Sequence, residues 1–468
     1  MNTDNQNRPE NVELLSAQAP ITDFRGLIIT IIAAIICFGI YHILPYEPNA
    51  NKGIAVLLFV AIMWFTEAVH ITVTALMVPI LASLLGFPDM NIKTAMSNFA
   101  DPTIYIFFGG FALATALHMQ RLDRKIAVWL LSLSGGNMKA AVLMLFIVTA
   151  FLSMWISNTA TAAMMMPLAL GMMDHLDREK ERKTFVFVLL GIAYCASIGG
   201  LGTIVGSPPN NIAAKALELD FLGWMKMGLP MMLLIMPLML FALYVILKPN
   251  LNERVEVKSE HIPWTLHRVI AMLIFIAAAV SWIFSSKIKA AFDIPNPDTV
   301  IALTAAVAVV VFGVARWREV ARNTDWGVLM LFGGGIALSN LLKVSGASLA
   351  LGQQIATAFV LTHPLVVIFA VAAFIIFLTE FTSNTASAAL LVPIFASIAT
   401  QMGLPKEVLV FVIGIGASCA FMLPVATPPN AIVFGTGLIM QKEMMRVGVL
   451  LNILCVIVVA LWAYAFYV

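Results

Sequence analysis

Apolar stretches long enough to cross a lipid bilayer recur along almost all of this 468-residue chain. A membrane-spanning helix needs about 20 mostly apolar residues, and the first such stretch runs from Phe24 to Pro45. Of all residues, 61% are hydrophobic and only 11% are charged, which excludes an ordinary soluble domain. Helices satisfy their own backbone hydrogen bonds inside a bilayer, so we predict an all-α polytopic membrane protein.

The segment before the first apolar stretch is polar. Residues 1–23 include Asp4, Glu10, Glu13 and Asp23, so we expect a cytoplasmic tail and no cleavable signal peptide. The net charge of the chain is only +2, and nucleic acid is therefore not an expected partner.

Basic residues indicate which connections face the cytoplasm, because Lys and Arg are concentrated in cytoplasmic loops. Most of the 27 basic residues fall into six groups, at residues 8–25, 121–139, 178–183, 248–268, 316–322 and 442–446. Placing these groups inside gives eleven spanning helices, with a cytoplasmic amino end and a periplasmic or extracellular carboxyl end. The helices are expected to begin near residues 24, 53, 70, 103, 185, 223, 265, 298, 325, 405 and 446.

Two apolar segments fit re-entrant hairpins better than spanning helices. The segment at about 140–173 has basic flanks at both ends. It is too short for two crossings, which would need about 40 residues and a turn. We predict that it dips into the membrane and returns to the cytoplasmic side. The segment at about 364–401 is expected to do the same from the opposite side.

A polar tripeptide lies in the middle of each hairpin segment: Ser157-Asn158-Thr159 in the first and Ser383-Asn384-Thr385 in the second. Polar side chains at membrane depth are costly unless they are satisfied, so they usually mark a pathway or a site. A hydroxyl also precedes each tripeptide serine by four residues, at Ser153 and Thr379. Residues i and i+4 share a helix face, so each hydroxyl pair is expected to present two oxygens to one point.

Each hairpin is followed by a long apolar segment with a break in its middle. The breaks are Gly206-Ser207-Pro208-Pro209-Asn210 and Ala426-Thr427-Pro428-Pro429-Asn430. Unbroken helices at about 185–220 and 405–440 would be roughly 50 Å long, which exceeds the thickness of a bilayer. We therefore predict two broken helices, each with Pro at the start of its second half and with Ser207 or Thr427 at the N-cap position.

The recurring pieces divide the chain into two similar halves. Residues 53–250 form a first repeat and residues 265–468 a second, with a helix at 24–52 outside the repeat and a cytoplasmic linker at 251–264. Because the two hairpins enter from opposite sides, the repeats are predicted to have inverted topology. Inverted repeats whose discontinuous helices meet near the membrane midplane are typical of secondary transporters.

The residues at the hairpin tips and helix breaks indicate what such a site binds. No Lys or Arg lies at either tip or either break. Four half-helices are expected to begin at the centre, after Thr159, Ser207, Thr385 and Thr427, and their N-termini together carry about +2 elementary charges. That potential suits a dianion, while the carbonyl and Asn oxygens suit a hard cation such as sodium. Cations beside the anion would make the two binding events cooperative.

Other polar residues receive structural interpretations. Glu67 and His70 are expected at the membrane interface near a cytoplasmic turn, and Asp101 is expected to cap a helix. Glu380 fits either a proton carrier or a structural carboxylate bonded to backbone, and we favour the structural role. The sequence has no clustered His, Cys, Asp and Glu of the kind found in an enzyme, and no ring of charges typical of a channel.

At these motifs the chain resembles the divalent anion–sodium symporter family, and in particular its bacterial INDY-type dicarboxylate transporters. Two Ser-Asn-Thr motifs, each followed by a broken helix, are the family's hallmark, and the resemblance covers nearly the whole chain. It implies a homodimer in which each protomer has a scaffold domain and a transport domain. The transport domain would hold both hairpins, both broken helices and the helices that follow them. It would cross the membrane as a rigid body, which is the elevator form of alternating access.

The resemblance also implies roles for individual residues. The first sodium site would comprise Ser153, Ser157, Asn158 and the backbone of Gly206. The second would comprise Thr379, Ser383, Asn384 and the backbone of Ala426. The substrate site would comprise Asn158, Thr159, Ser207, Ser383, Asn384, Thr385, Thr427 and Pro428.

The function implied by the resemblance is sodium-coupled import of a four-carbon dicarboxylate such as succinate, malate or fumarate. The expected location is the bacterial inner membrane. Two alternatives stay open within the same fold: sodium-coupled transport of sulfate or citrate, and exchange of dicarboxylates or other anions without sodium.

Overall fold

The protein is a bundle of α-helices. In the computed structural model, residues 24–255, 262–359 and 362–468 are described, so the predicted tail at 1–23 and part of the predicted linker lie outside the described residues. The first half of the described chain contains α1(Phe24–Ile43), α2(Pro48–Thr66), α3(Ile71–Leu84), α4(Ile92–Ser97), α5(Pro102–Met119), α6(Leu122–Ser132), α7(Met138–Ser153), α8(Asn158–Met172), α9(Arg182–Gly199), α10(Pro208–Ala216) and α11(Phe221–Leu247). The second half contains α12(Leu266–Ile283), α13(Ser285–Phe292), α14(Pro297–Val311), α15(Trp317–Asn323), α16(Trp326–Val344), α17(Ala347–Ala358), α18(Pro364–Leu378), α19(Asn384–Gln401), α20(Lys406–Gly416), α21(Pro428–Phe434) and α22(Gln441–Tyr467).

Eight helices within the described ranges are long and apolar enough to span a bilayer, and a ninth span results if α13 and α14, which meet at a 101° bend, are joined. The polytopic membrane fold is therefore confirmed, whereas the count of eleven stays a prediction. The spans predicted from residues 70 and 405 contain the 14-residue α3 and the 11-residue α20, both shorter than a full crossing. Helix α2 begins at Pro48, so the boundary drawn at residue 52 falls inside a helix.

The helices differ in how they are buried. Helix α9 is buried at every residue from Thr184 to Gly199 and forms the centre of the bundle. Helices α1 and α12 bury few of their residues and leave most of their apolar side chains at least partly exposed, as helices in contact with lipid do. The candidate site is built around the buried centre.

The predicted hairpin and broken-helix segments each contain two helices with an interruption. Residues 154–157 separate α7 from α8, and residues 379–383 separate α18 from α19. The two broken segments interlock with the hairpin arms of the other half. Helix α21 packs against α8 and α9, while α10 packs against α19 and α20. This reciprocal packing brings all four interruptions to one place.

Glycines allow neighbouring helices to approach closely beside this centre. A Cβ added at Gly109 of α5 would lie 2.6 Å from the carbonyl oxygen of Ala302 in α14. A Cβ added at Gly334 of α16 would lie 2.6 Å from the Cβ of Ala75 in α3. Neither approach is possible with a side chain present, so these two glycines serve close helix packing.

Candidate functional site

Both tripeptides and both helix breaks line one cavity of about 630 Å³. This volume lies within the range of about 300–1,000 Å³ that is usual for small-ligand sites. Every residue predicted for the substrate site lies on the cavity wall: Asn158, Thr159, Ser207, Ser383, Asn384, Thr385, Thr427 and Pro428. None of the described residues on the wall is Lys or Arg, so positive potential in the cavity comes from helix N-termini.

The serine of each tripeptide caps the half-helix that follows it. Ser157 Oγ accepts a hydrogen bond of 3.3 Å from Ala160 N, and α8 begins at Asn158. The second tripeptide repeats this arrangement with a bond of 3.4 Å, and α19 begins at its asparagine. The predicted helix starts after the two threonines are therefore wrong by two residues, because the serine oxygen takes the capping position. The first N–H groups of each half-helix, those of Asn and Thr included, have no partner within the helix.

The pairing predicted between Ser153 and Ser157 on one helix face is wrong. Helix α7 ends at Ser153, and Ser157 belongs to the next helix as its N-cap. The turn between the two arms falls between these residues, so the i, i+4 rule does not apply to them. Ser153 Oγ lies instead 2.7 Å from the side-chain amide of Asn158. The same correction holds for Thr379, which follows the last residue of α18.

Several oxygen atoms converge on Asn158. One end of its side-chain amide lies 2.7 Å from Ser153 Oγ, 3.0 Å from the Ala196 carbonyl oxygen and 3.2 Å from the Gly206 carbonyl oxygen. Ser153 Oγ also lies 2.6 Å from the Ala196 oxygen, so its one proton faces two neighbours. The cluster is satisfied when the amide nitrogen occupies this end, or when the amide oxygen does and a cation lies among the oxygens. Neutral oxygens in this arrangement are the ligands that hard cations prefer.

Gly200 leaves free space in this oxygen cluster. A Cβ added at Gly200 would lie 2.6 Å from the same end of the Asn158 amide and 2.9 Å from the Gly206 carbonyl oxygen. The φ angle of Gly200 is −55°, which any residue adopts, so glycine is needed here for space rather than for its backbone conformation. Gly200 was not identified from the sequence. The feature that could have indicated it is the glycine pair Gly199-Gly200, which ends six residues before the first break begins.

The second tripeptide has a related cluster. Thr379 Oγ1 lies 2.5 Å from Asn384 Oδ1 and 2.8 Å from the Ala417 carbonyl oxygen, so one proton again faces two acceptors. Thr379 and Ser153 are fully buried behind the cavity wall. The other residues predicted for the sodium sites all lie on the wall: Ser157, Asn158, Gly206, Ser383, Asn384 and Ala426.

The residues at the two N-cap positions of the breaks behave differently. Thr427 Oγ1 accepts a hydrogen bond of 3.3 Å from Asn430 N, as a cap does. Ser207 precedes α10 but makes no capping bond, and its Oγ lies 3.1 Å from Ser418 Oγ. Ser418 is buried at the end of the other broken helix, so this contact joins the two halves of the site. The prediction missed Ser418, because nothing local to it indicates a distant partner.

The asparagine that ends each Pro-Pro-Asn motif fixes the shape of the break before it. Asn210 Nδ2 donates to the carbonyl oxygens of Gly200 and Thr203, with both distances 2.7 Å. Asn430 Nδ2 makes the same pair of bonds in the second break, at 3.2 and 3.0 Å. Each break is therefore a hydrogen-bonded turn that places a helix N-terminus at the cavity.

Charged residues lie at the two ends of the site region. Glu67 and Asp325, both exposed, border the cavity on the face that the charge distribution predicts as cytoplasmic. Glu67, predicted to lie at the membrane interface, thus also borders the cavity. Asp325 was not identified from the sequence. Towards the other face, Asp101 caps α5 as predicted, accepting a hydrogen bond of 3.0 Å from Thr103 N. Its second carboxylate oxygen lies 2.9 Å from Lys215 Nζ.

A comparison with known families identifies the class of protein that carries this site. The model of the sodium:sulfate symporter transmembrane region matches residues 22–468. The chain belongs to the sodium:sulfate symporter family. This result confirms the resemblance inferred from the repeated motifs. A member of this family is a multi-pass membrane transporter and not an enzyme.

Individual members of the sodium:sulfate symporter family are similar over nearly the whole chain. An uncharacterised transporter of Haemophilus influenzae is 53% identical over 461 residues, which are 97% of this chain and 100% of that one. The sodium-dependent dicarboxylate transporter of Staphylococcus saprophyticus is 32% identical over 460 residues, covering 90% of this chain and 88% of that one. Among solved structures, the YdaH transporter of Alcanivorax borkumensis matches with a TM-score of 0.58 and 12% identity, covering 88% of this chain and 99% of that one. At this identity the likeness concerns the fold alone.

Proposed function

We propose that this protein imports four-carbon dicarboxylates such as succinate, malate and fumarate, driven by the inward flow of sodium across a bacterial inner membrane. The observation that carries the proposal is the meeting of two capped tripeptides and two helix breaks around a cavity whose described wall residues include no Lys or Arg. Four helix N-termini offer N–H groups to a dianion, and the clustered oxygens offer ligands to cations. The 32% identical relative named a sodium-dependent dicarboxylate transporter supports this choice of substrate and ion.

The substrate would lie between the two tripeptides. In this proposal, Thr159 and Thr385 donate hydroxyl bonds to its carboxylates, and the N-termini of α10 and α21 face it from the breaks. Asn158 and Asn384 would contact both ligands, because each side-chain amide lies between an oxygen cluster and the cavity. Sodium bound at the two oxygen clusters would neutralise the dianion, which couples the two binding events.

The cavity supports alternating access by movement of a transport domain. It borders exposed Glu67 and Asp325 on the predicted cytoplasmic side, so we assign the structure to an inward-facing state. The proposed transport domain comprises α7 to α11 and α18 to α22. It would move against a scaffold formed by the remaining helices in a homodimer. Eleven spans in two inverted repeats, with the amino end inside and the carboxyl end outside, belong to the same proposal.

Uptake of radiolabelled succinate into proteoliposomes tests the proposal. We expect uptake that requires an inward sodium gradient and disappears when choline replaces sodium. Asn158→Ala and Asn384→Ala should each raise the half-saturating concentrations of sodium and of succinate by about tenfold or more, since each removes contacts to charged ligands. Thr149→Ala is the control, because Thr149 Oγ1 is buried and bonds only within α7, to the Leu145 carbonyl oxygen. Normal transport by either Asn variant would refute the shared site.

The same vesicles distinguish the alternatives. The family description favours sulfate as a second candidate substrate. Inhibition of succinate uptake by sulfate and by citrate compares the affinities of the protein for these anions. An exchanger would instead need dicarboxylate inside the vesicles and would ignore sodium. Sulfate-sensitive uptake with no response to malate or fumarate would replace the dicarboxylate assignment.

A further inference from the structure

Glu380 is a fully buried carboxylate between the arms of the second hairpin. Its two oxygens accept hydrogen bonds of 2.7–3.1 Å from three successive backbone N–H groups, those of residues 421–423. Asn452 Nδ2 of α22 donates a further bond of 2.7 Å to the same carboxylate. The backbone groups belong to the segment that runs from α20 to the second helix break. This confirms the structural role favoured from the sequence.

These contacts fill the acceptor capacity of the carboxylate. One oxygen accepts three bonds and the other accepts two, while a carboxylate offers about four lone-pair sites in all. A proton on either oxygen would point at an N–H group, and a cation bound directly to Glu380 would have to displace one. The arrangement therefore favours a charged carboxylate over a proton carrier or a direct cation ligand.

The first half of the site has no such charge. Met154 follows Ser153 as Glu380 follows Thr379. The first break is held by neutral groups: Thr203 Oγ1 donates to the Met154 carbonyl oxygen and accepts from Gly206 N at 3.1 Å. The two oxygen clusters therefore have similar neutral ligands, but only the second has a carboxylate, that of Glu380, beside it.

We propose that Glu380 is a positioning residue that makes the second cation site the tighter of the two. It fixes residues 421–423, which lead into the break that begins at Ala426, and it places a negative charge one residue from Thr379. The cation held by Thr379, Asn384 and Ala426 is attracted by that charge, whereas the first cation is held by dipoles alone. This inference rests on the proposed function, because it assumes sodium at both clusters.

The test compares Glu380→Gln with Asn452→Leu in proteoliposomes. Glu380→Gln removes the charge at nearly constant shape, and Asn452→Leu removes one hydrogen bond and leaves the charge. We expect Glu380→Gln to raise the half-saturating sodium concentration of succinate uptake about tenfold, the order of magnitude for losing one nearby charge at an effective dielectric constant of about 20. Saturating sodium should restore uptake. Asn452→Leu should shift sodium affinity less than about threefold, because it removes only one of the hydrogen bonds that hold the carboxylate.

A second measurement separates the charge from a merely structural role. Sodium-dependent thermal stabilisation in detergent reports cation binding without transport, and Glu380→Gln should shift it to higher sodium by the same factor. If Glu380→Gln reduces uptake but leaves the sodium dependence unchanged in both assays, the inference is overturned. The proposed function would still stand as long as uptake by the parent protein depends on sodium. Parent uptake that ignores sodium would instead refute the proposed function. If Glu380→Gln does not fold, Glu380→Asp keeps the charge and should retain sodium affinity within about threefold. A tenfold loss there would overturn the inference.

Discussion

The ion pair between Asp101 and Lys215 is expected to stabilise the proposed inward-facing state, because it joins the proposed scaffold to the proposed transport domain. Asp101 precedes α5, Lys215 lies in α10, and Lys215 Nζ is 2.9 Å from Asp101 Oδ2. Beside it, Asn211 Nδ2 donates to the Thr103 carbonyl oxygen at 3.2 Å across the same boundary. Movement of the transport domain across the membrane would break both contacts.

The expected size of the effect follows from the exposure of the pair. The Asp101 and Lys215 side chains are 16% and 41% exposed. Exposed pairs contribute about 0.2–1 kcal/mol and buried pairs several times more, so we expect about 1 kcal/mol here. That energy changes the ratio of two states about fivefold. Asp101→Asn removes the charge and keeps the cap, because the other oxygen, Oδ1, accepts the bonds from Thr103. Lys215→Met keeps the aliphatic part of the side chain.

Cross-linking between α16 and α19 measures the population of this state. A Cβ at Gly335 would lie 3.1 Å from Ala389 Cβ, so cysteines at these positions need only a small shift to form a disulfide. In this background, Asp101→Asn and Lys215→Met should each lower the ratio of the cross-linkable state to the other state about fivefold. The double variant should lower it no further, since either change already removes the pair.

A matched control lies within the proposed transport domain. Lys406 pairs with Glu218 at 3.7 Å, and both residues would move together. Lys406→Met should therefore leave the cross-linking rate unchanged. Unaltered cross-linking in Asp101→Asn and Lys215→Met, or an equal loss in Lys406→Met, would refute the assignment of the pair to the domain boundary.

Three further predictions concern the glycines and the breaks. Gly200→Ala should raise the half-saturating sodium concentration of uptake about tenfold, because its Cβ would lie 2.6 Å from the Asn158 side-chain amide and fill the oxygen cluster; unchanged sodium affinity would contradict a cation at that cluster. Asn210→Ala should lower the free energy of unfolding by about 2 kcal/mol, since two hydrogen bonds are lost, and denaturant unfolding in detergent measures it. Gly109→Ala should destabilise by about 1–3 kcal/mol through its clash with Ala302. Gly171→Ala meets nothing within 4 Å and should not lower the melting temperature, so equal losses in the two glycine variants would refute the packing argument.

The interruptions in the helices were predictable because polar residues and prolines inside an apolar stretch mark the places where a spanning helix stops. The Pro-Pro-Asn motifs located the starts of α10 and α21 to the residue, since Pro fits the first turn of a helix. The tripeptides located the starts of α8 and α19 to within two residues. The capping role of Asp101 followed from its place before an apolar run.

Contacts between distant segments were not predictable from local patterns. Nothing near Ser418 indicates Ser207 as its neighbour, and nothing near Lys215 indicates Asp101. The pairing of Ser153 with Ser157 failed because helical periodicity assumes a continuous helix, and a turn lies between them. Charge patterns indicate on which side a connection lies and not how long a helix is. They therefore did not predict that α3 has only 14 residues.

The described residues of the cavity wall include no Lys or Arg. This composition affects how the same side chains could both bind and release the substrate. A fixed cation would hold a dicarboxylate equally on both sides of the membrane. In the proposed function, a wall of dipoles and oxygens would hold it well only while mobile cations lie between them. Under the proposed function, the anion would bind where sodium is abundant. Where sodium is scarce, the ions would leave, and the helix dipoles alone would hold the carboxylates weakly. The affinity for substrate would then be a property of the solution on each side, set by the ion gradient rather than by a change of side chains.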